Sequence, residues 1–231
     1  MLGMAEFERW VEASHAMFEI FEGRYDAHPL AVKWIDEWFA SGDFTVEEEQ
    51  VNRISTLAKN FRYEAYGVGD ELKQRINGGF TGMLRNQLQR GRKEHIGFAV
   101  SPYLFTWNFQ RFKKYFERQD FKLQQYFETL SEFLTSRKET LGSYRSKSLV
   151  TDQIDEETVK AIFHEVNSKL KAIGIGNNEP VGTIKLLHVF APSYFPLIDN
   201  DIAEAVGLMP RKLRWKEYRA YSSLTNISYL Q

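Results

Sequence analysis

Three side chains between Val181 and Leu208 are of the types that nucleophilic chemistry at a carbon electrophile needs. Lys185 and His188 stand three residues apart, which puts an amine and an imidazole on one face of a helix. Asp199 follows at a position suited to open the next helix, from which a carboxylate can turn back toward that face. A neutral amine attacks an electrophilic carbon, and a carboxylate stabilises the positive charge that develops there. The same spacing also serves structure alone. Asp199 is then a helix N-cap, His188 a buried, hydrogen-bonded ring and Lys185 a surface residue. Spacing leaves both readings open.

A second set of residues is suited to nucleic acid. Within SPYLFTWNFQRFKKYF, Ser101–Phe116, Trp107 and Arg111 lie close together at or near the start of a helix. Such a pair can stack on a base and hold a phosphate. Lys113 and Lys114 add charge beside them, and Arg90, Arg92 and Lys93 form a short basic cluster next to Gly91. The alternatives are an aromatic core helix with a solvated basic face, and an ordinary polar loop. The net charge is −1, but it is unevenly spread. Residues 1–72 carry 15 acids and 6 bases, residues 73–122 carry 3 acids and 11 bases, and the remainder carries 13 of each. The basic block is either a footprint for an anionic partner or a counterpart to the acidic first third.

Other chemistries find no support. The five histidines, His15, His28, His95, His164 and His188, show no metal-binding spacing, so no metal is expected. There is no phosphate-binding loop, dinucleotide glycine fingerprint or nucleophile elbow, and no cofactor is expected. With no cysteine, disulfides and thiolate chemistry are excluded. No apolar run approaches the ~18 residues of a membrane span, and the first residues lack a signal-peptide pattern. The expectation is a soluble, cytoplasmic protein with no membrane partner.

The elements that must position these residues read as helices throughout, an all-α fold. Phe7, Trp10, Val11, Met17, Phe18 and Phe21 make a first helical stripe. Pro29 opens a second, with Ala31, Trp34, Ile35, Trp38 and Phe39 inward and Gly42 as its stop. Thr45 and Glu48 form a capping box for a third, whose stripe is Val51, Ile54, Leu57, Ala58 and Phe61. Five glycines between Gly67 and Gly82 predict short helices over Asp70–Ile76 and Phe80–Arg90. Gly97 and Pro102 predict an extended or looped segment over His95–Phe105. Phe105, Phe109, Phe112 and Phe116 then fall on one helical face, and a long helix follows with Leu123, Phe127, Leu130, Phe133, Leu134 and Leu141 inward. Small and polar Gly142–Thr151 is the linker between two lobes, 1–141 and 152–231. Asp155 caps the next helix, with Val159, Ile162, Phe163, Val166, Leu170 and Ile173 inward and Gly174 at its end. A helix from about Gly182 to Phe190, a break at Ala191-Pro192-Ser193, a short helix capped by Asp199 and a basic-aromatic tail, Arg211–Tyr221, complete the chain.

The residues Lys185, Leu187, His188, Pro192, Phe195, Pro196 and Asp199 resemble the K-x-L-H-x-x-x-P-x-x-F-P-x-x-D core of a group of uncharacterised helical proteins. More distantly, the segment resembles the helix–hairpin–helix DNA glycosylase superfamily. The nearest counterpart of that family's hairpin string is Pro180-Val181-Gly182. The resemblance implies a helix–hairpin–helix-like C-terminal lobe and DNA as partner. It gives Lys185 the role of Schiff-base nucleophile and Asp199 that of charge stabiliser. Gly182 becomes the hairpin glycine whose N–H approaches a phosphate. The function so implied is base excision. The competing expectation is a non-catalytic helical protein that binds a partner protein or a regulatory ligand.

Overall fold

The structure is a computed structural model and describes residues 27–89, 95–149, 151–153 and 155–197. All regular structure among these residues is helical, as the all-α expectation requires. The Phe7–Phe21 stripe, the helix after Asp199 and the Arg211–Tyr221 tail lie outside the described residues. The chain divides into two compact units, Met1–Ser131 and Glu132–Gln231.

In the first unit, α1 spans His28–Ser41 with Pro29 in its first turn, and it buries Leu30, Ala31, Trp34, Ile35 and Trp38. Helix α2, Glu48–Asn60, buries Val51, Ile54, Leu57 and Ala58. Its capping box lies two residues after the expected Thr45–Glu48 pair. Glu47 is the N-cap, and its N–H donates to the Gln50 side-chain carbonyl at 3.0 Å. Thr45 is occupied elsewhere: its N–H donates to Glu37 Oε2 at 2.8 Å, and its carbonyl accepts from Trp34 Nε1 at 2.9 Å.

A 3-10 turn, Tyr63–Tyr66, leads to α3, Asp70–Gln89. This one helix replaces the two short ones expected around Gly78 and Gly79. An interior glycine costs about 1 kcal/mol relative to alanine. Ile76 and Phe80, one turn apart and fully buried, each return about 1.5–3 kcal/mol on burial, so packing outweighs propensity. The His95–Phe105 segment is likewise helical, as α4 (Ile96–Ala99) and α5 (Ser101–Trp107). Pro102 stands in the first turn of α5, where its missing N–H removes no helical bond, so it starts a helix rather than breaking one.

Helix α6, Phe109–Glu117, follows a break at Asn108, and α7 spans Leu123–Ser136. Phe105, Phe109, Phe112 and Phe116 are all buried, although the break divides them between two helices. The core is a lattice of rings. Phe80 stacks on Phe105 at 4.1 Å, Phe61 meets Phe109 at 4.3 Å, and Phe112 lies parallel to Phe127 at 6.0 Å.

Helix α7 crosses from the first unit into the second. The expected long helix is interrupted at Arg137, and α8 covers Lys138–Arg145. The first residues of the Gly142–Thr151 segment therefore belong to a helix, and Tyr144 is buried. Helix α9, Glu156–Ile173, begins at Asp155, whose carboxylate accepts the Thr158 N–H at 3.1 Å, and buries Val159, Ile162, Phe163, Val166 and Leu170. Helix α10 spans Pro180–Phe190 and packs against α8 and α9. Arg137 joins Glu165 on α9 through a short ion pair, with Arg137 Nε at 2.6 Å. Both groups are substantially exposed, so this pair contributes less than about 1 kcal/mol.

Candidate functional site

Helix α10 carries the densest set of candidate residues. It is apolar on almost every side, burying Ile184, Leu186, Leu187, Val189 and Phe190. Only a narrow strip is left for polar groups, and Lys185 and His188 stand on it, both half-buried. The chain reaches α10 through a turn in which Gly176 has φ 79°, a left-handed conformation that favours glycine. Asn167 Oδ1 accepts the Glu179 N–H at 2.7 Å and fixes the entry. Glu179 itself is buried at the N-cap position. Gly182, expected as the hairpin glycine, lies in the first turn of α10 and is buried.

The exit from α10 is built just as firmly. The Ala191 N–H donates to the Leu187 carbonyl at 3.0 Å, and the Tyr194 and Phe195 N–H groups donate to Ala191 O at 3.0 and 2.9 Å. His188 closes the turn: its Nδ1–H donates to the Phe195 carbonyl at 2.7 Å. This bond fixes the neutral tautomer, with the proton on Nδ1 and the lone pair on Nε2. Burial pushes the imidazole below its ordinary value of 6.5, against the smaller opposite pull of the Phe195 carbonyl. Pro192, Phe195 and Pro196, read first as a sequence pattern, thus form the segment that His188 holds. Asp199 lies outside the described residues.

A cluster that sequence reasoning passed over lies beside this turn. Tyr144 stacks on Tyr194 at 5.1 Å and meets Phe195 edge-on at 5.0 Å. Lys147 Nζ stands 5.3 Å from the Tyr144 ring centre and 5.8 Å from that of Tyr194. The Tyr144 and Tyr194 hydroxyls are buried without a hydrogen-bond acceptor among the described residues. Burial above all, then the neighbouring Tyr194 phenol and the Asp155 carboxylate, push the Tyr144 phenol up to about 12. Arg145 Nη1 donates to the Phe190 carbonyl at 2.6 Å, and the Leu149 N–H donates to Ser193 O at 3.0 Å. The signal was present in the sequence: Tyr144 continues the stripe of Leu141 at helical spacing, but the small polar residues around it suggested a linker.

The nucleic-acid candidates belong to the first unit. Trp107 is half-buried, with Tyr103 at 5.7 Å and His28 at 6.2 Å between ring centres. Arg111 is half-buried and Lys114 exposed. Lys113 Nζ donates to the Tyr66 carbonyl at 2.7 Å and pairs with Glu117 at 3.7 Å, so part of its charge is spent within the fold. Arg90, Arg92 and Lys93 lie outside the described residues. The ion pairs Lys33–Glu37, Lys33–Glu47 and Arg53–Glu49 fall inside the acidic first third, and Lys113–Glu117 and Arg118–Asp120 inside the basic block. Among the described residues no cluster of three or more acidic or histidine side chains is arranged to hold a metal ion, and no helix is long and apolar enough to cross a membrane.

No family model, curated protein or solved structure matches this chain.

Proposed function

We propose that this chain is a nucleic-acid-associated helical protein whose C-terminal lobe acts as a DNA glycosylase-like base-excision element. The observation that carries the reading is the bond from His188 Nδ1 to the Phe195 carbonyl. It holds Phe195, four residues before Asp199 in sequence, against His188, one turn along α10 from Lys185. In this reading α9, the turn at Gly176 and α10 serve as the helix–hairpin–helix-like unit, in the second of two lobes, 1–141 and 152–231.

Lys185 is then the nucleophile. Its neutral amine attacks the anomeric carbon of the target nucleotide. A carbon–nitrogen bond to lysine forms as the glycosidic bond breaks. The base departs with the bonding electrons and takes up a proton, and opening of the sugar ring leaves a Schiff base. Asp199 stabilises the positive charge at that carbon, and His188 accepts the proton the amine releases. Arg90, Arg92, Lys93, Trp107, Arg111, Lys113 and Lys114 supply contacts to the nucleic acid.

Borohydride with abasic DNA tests this directly. The expected result is a covalent complex with the native protein and none with Lys185→Ala, while Asp199→Asn slows base release and leaves DNA affinity nearly unchanged. A native protein that forms no complex, and that fails to associate with DNA at low salt in an anisotropy titration, refutes the reading.

The second reading, a non-catalytic helical protein that binds a partner protein or a regulatory ligand, is favoured by how fully the candidates serve the fold. Gly182 is buried, the His188 ring holds the Phe195 turn, and Lys113 holds the Tyr66 carbonyl. It predicts that Lys185→Ala changes no DNA-directed activity.

A further inference from the structure

We infer that Tyr144 and Arg145 are positioning residues for the His188 imidazole, acting through the turn whose Phe195 carbonyl fixes that ring; what the ring is for rests on the base-excision reading, but how it is held does not.

The His188–Phe195 bond depends on where a loop carbonyl points. Residues Ala191–Phe195 follow the end of α10, and their own turn bonds close on Ala191. The Ala191 N–H ties the start of the turn to the Leu187 and His188 carbonyls of α10, and the residues beyond it need further support. Three contacts from α8 and its exit supply that support. Arg145 Nη1 holds the Phe190 carbonyl at 2.6 Å, where the turn begins. The Leu149 N–H holds Ser193 O at 3.0 Å, at its middle. The Tyr144 ring packs flat on Tyr194 and edge-on to Phe195, at its end. The turn is thus gripped along its whole length by one neighbouring segment, and Lys147 sits over the two stacked tyrosine rings.

A hydrogen bond of 2.7 Å weakens steeply once its donor angle or length departs from the optimum. A small displacement of Phe195 therefore suffices to lose it. With the Phe195 carbonyl in place, the proton stays on Nδ1 and the lone pair on Nε2. Without it, the Nδ1 proton loses the acceptor that holds it. The grip consequently decides how firmly that proton is held on Nδ1. The Tyr144 hydroxyl takes no part, since it has no acceptor among the described residues; the ring alone carries the contact.

Nitrogen–proton correlation spectra of the full chain, with histidine labelled with nitrogen-15 and recorded at neutral pH, read the tautomer directly. His188→Gln identifies the signal. The native protein and Tyr144→Phe are expected to show His188 with a slowly exchanging Nδ1 proton. Tyr144→Leu and Arg145→Met are expected to lose that proton signal to faster exchange with water and to shift the Nδ1 resonance, with the helical circular dichroism retained. If both variants fold and keep the native signal, the inference is overturned. If Tyr144→Leu does not fold, Arg145→Met alone decides. Borohydride trapping on the same samples separates the two ideas: a native protein that traps no DNA ends the Lys185 reading, while the tautomer result stands or falls on its own spectra.

Discussion

The Gly97 N–H donates to the Ser131 hydroxyl at 2.9 Å, and that hydroxyl donates in turn to the Phe127 carbonyl at 2.7 Å, so α4 and α7 meet backbone to backbone. A Cβ at Gly97 would stand 2.6 Å from both the Phe127 carbonyl oxygen and Ser131 Oγ, and 2.9 Å from the Ser131 nitrogen. Two of those three atoms are backbone and cannot swing aside. Gly97→Ala is therefore expected to destabilise the protein by about 1–3 kcal/mol, read as a lower urea midpoint. Adding Ser131→Ala should not restore the native midpoint, because the Phe127 carbonyl remains in the way.

Tyr144→Phe should be neutral or stabilising. It removes a buried hydroxyl that has no acceptor among the described residues and keeps the ring that stacks on Tyr194. A buried polar group without a partner costs about 1–3 kcal/mol, so the gain is expected at or below the lower end of that range. A loss of midpoint stability in a urea titration would show that the hydroxyl has an acceptor after all.

Acid should weaken the protein through His188. Its folded value lies below the ordinary 6.5, so in the unfolded chain the ring binds a proton more readily. The stabilising contribution is fully present above about 6.5 and falls away as pH drops through the depressed folded value. His188→Gln retains a donor for the Phe195 carbonyl and cannot titrate. The difference in midpoint between the native protein and this variant should shrink as pH is lowered from 7.5 to 5. A difference that does not change with pH would contradict the assignment.

Limited digestion with a protease that cuts after acidic residues should open the chain first at Asp152. Thr151, Asp152 and Gln153 are all exposed, whereas Glu139 lies in α8. Mass spectrometry of the first fragments checks this. First cleavage at Glu139 would mean that α8 is less firmly held than its buried Leu141 and Tyr144 imply.

The helical stripes were legible because burial repeats with the helical period. Trp34, Ile35 and Trp38, the four phenylalanines from Phe105 to Phe116, and Val159 to Leu170 are buried as their spacing predicts. What failed was punctuation. Gly78 and Gly79 read as breaks, yet Ile76 and Phe80 anchor one continuous helix across them. Pro102 read as a breaker but stands where proline begins a helix. Of the candidate site, Lys185 and His188 on one helix followed from their spacing of three. The His188–Phe195 bond did not, because a loop carbonyl leaves no mark in residue types. Nor did the Tyr144–Tyr194 stack, which joins positions far apart in the chain.

Helix α7 has 14 residues, with its last turn in the second compact unit and the rest in the first. An isolated helix of that length is at the margin of stability in water, where about 12–15 residues are needed. Helix α7 persists through the packing of its own buried residues, among them Tyr126, Phe127, Leu130 and Leu134. Fragments cut between Ser131 and Glu132 would each end in a severed helix, too short to hold its ladder of hydrogen bonds unaided. The two halves expressed separately should therefore show less helical circular dichroism in sum than the intact chain.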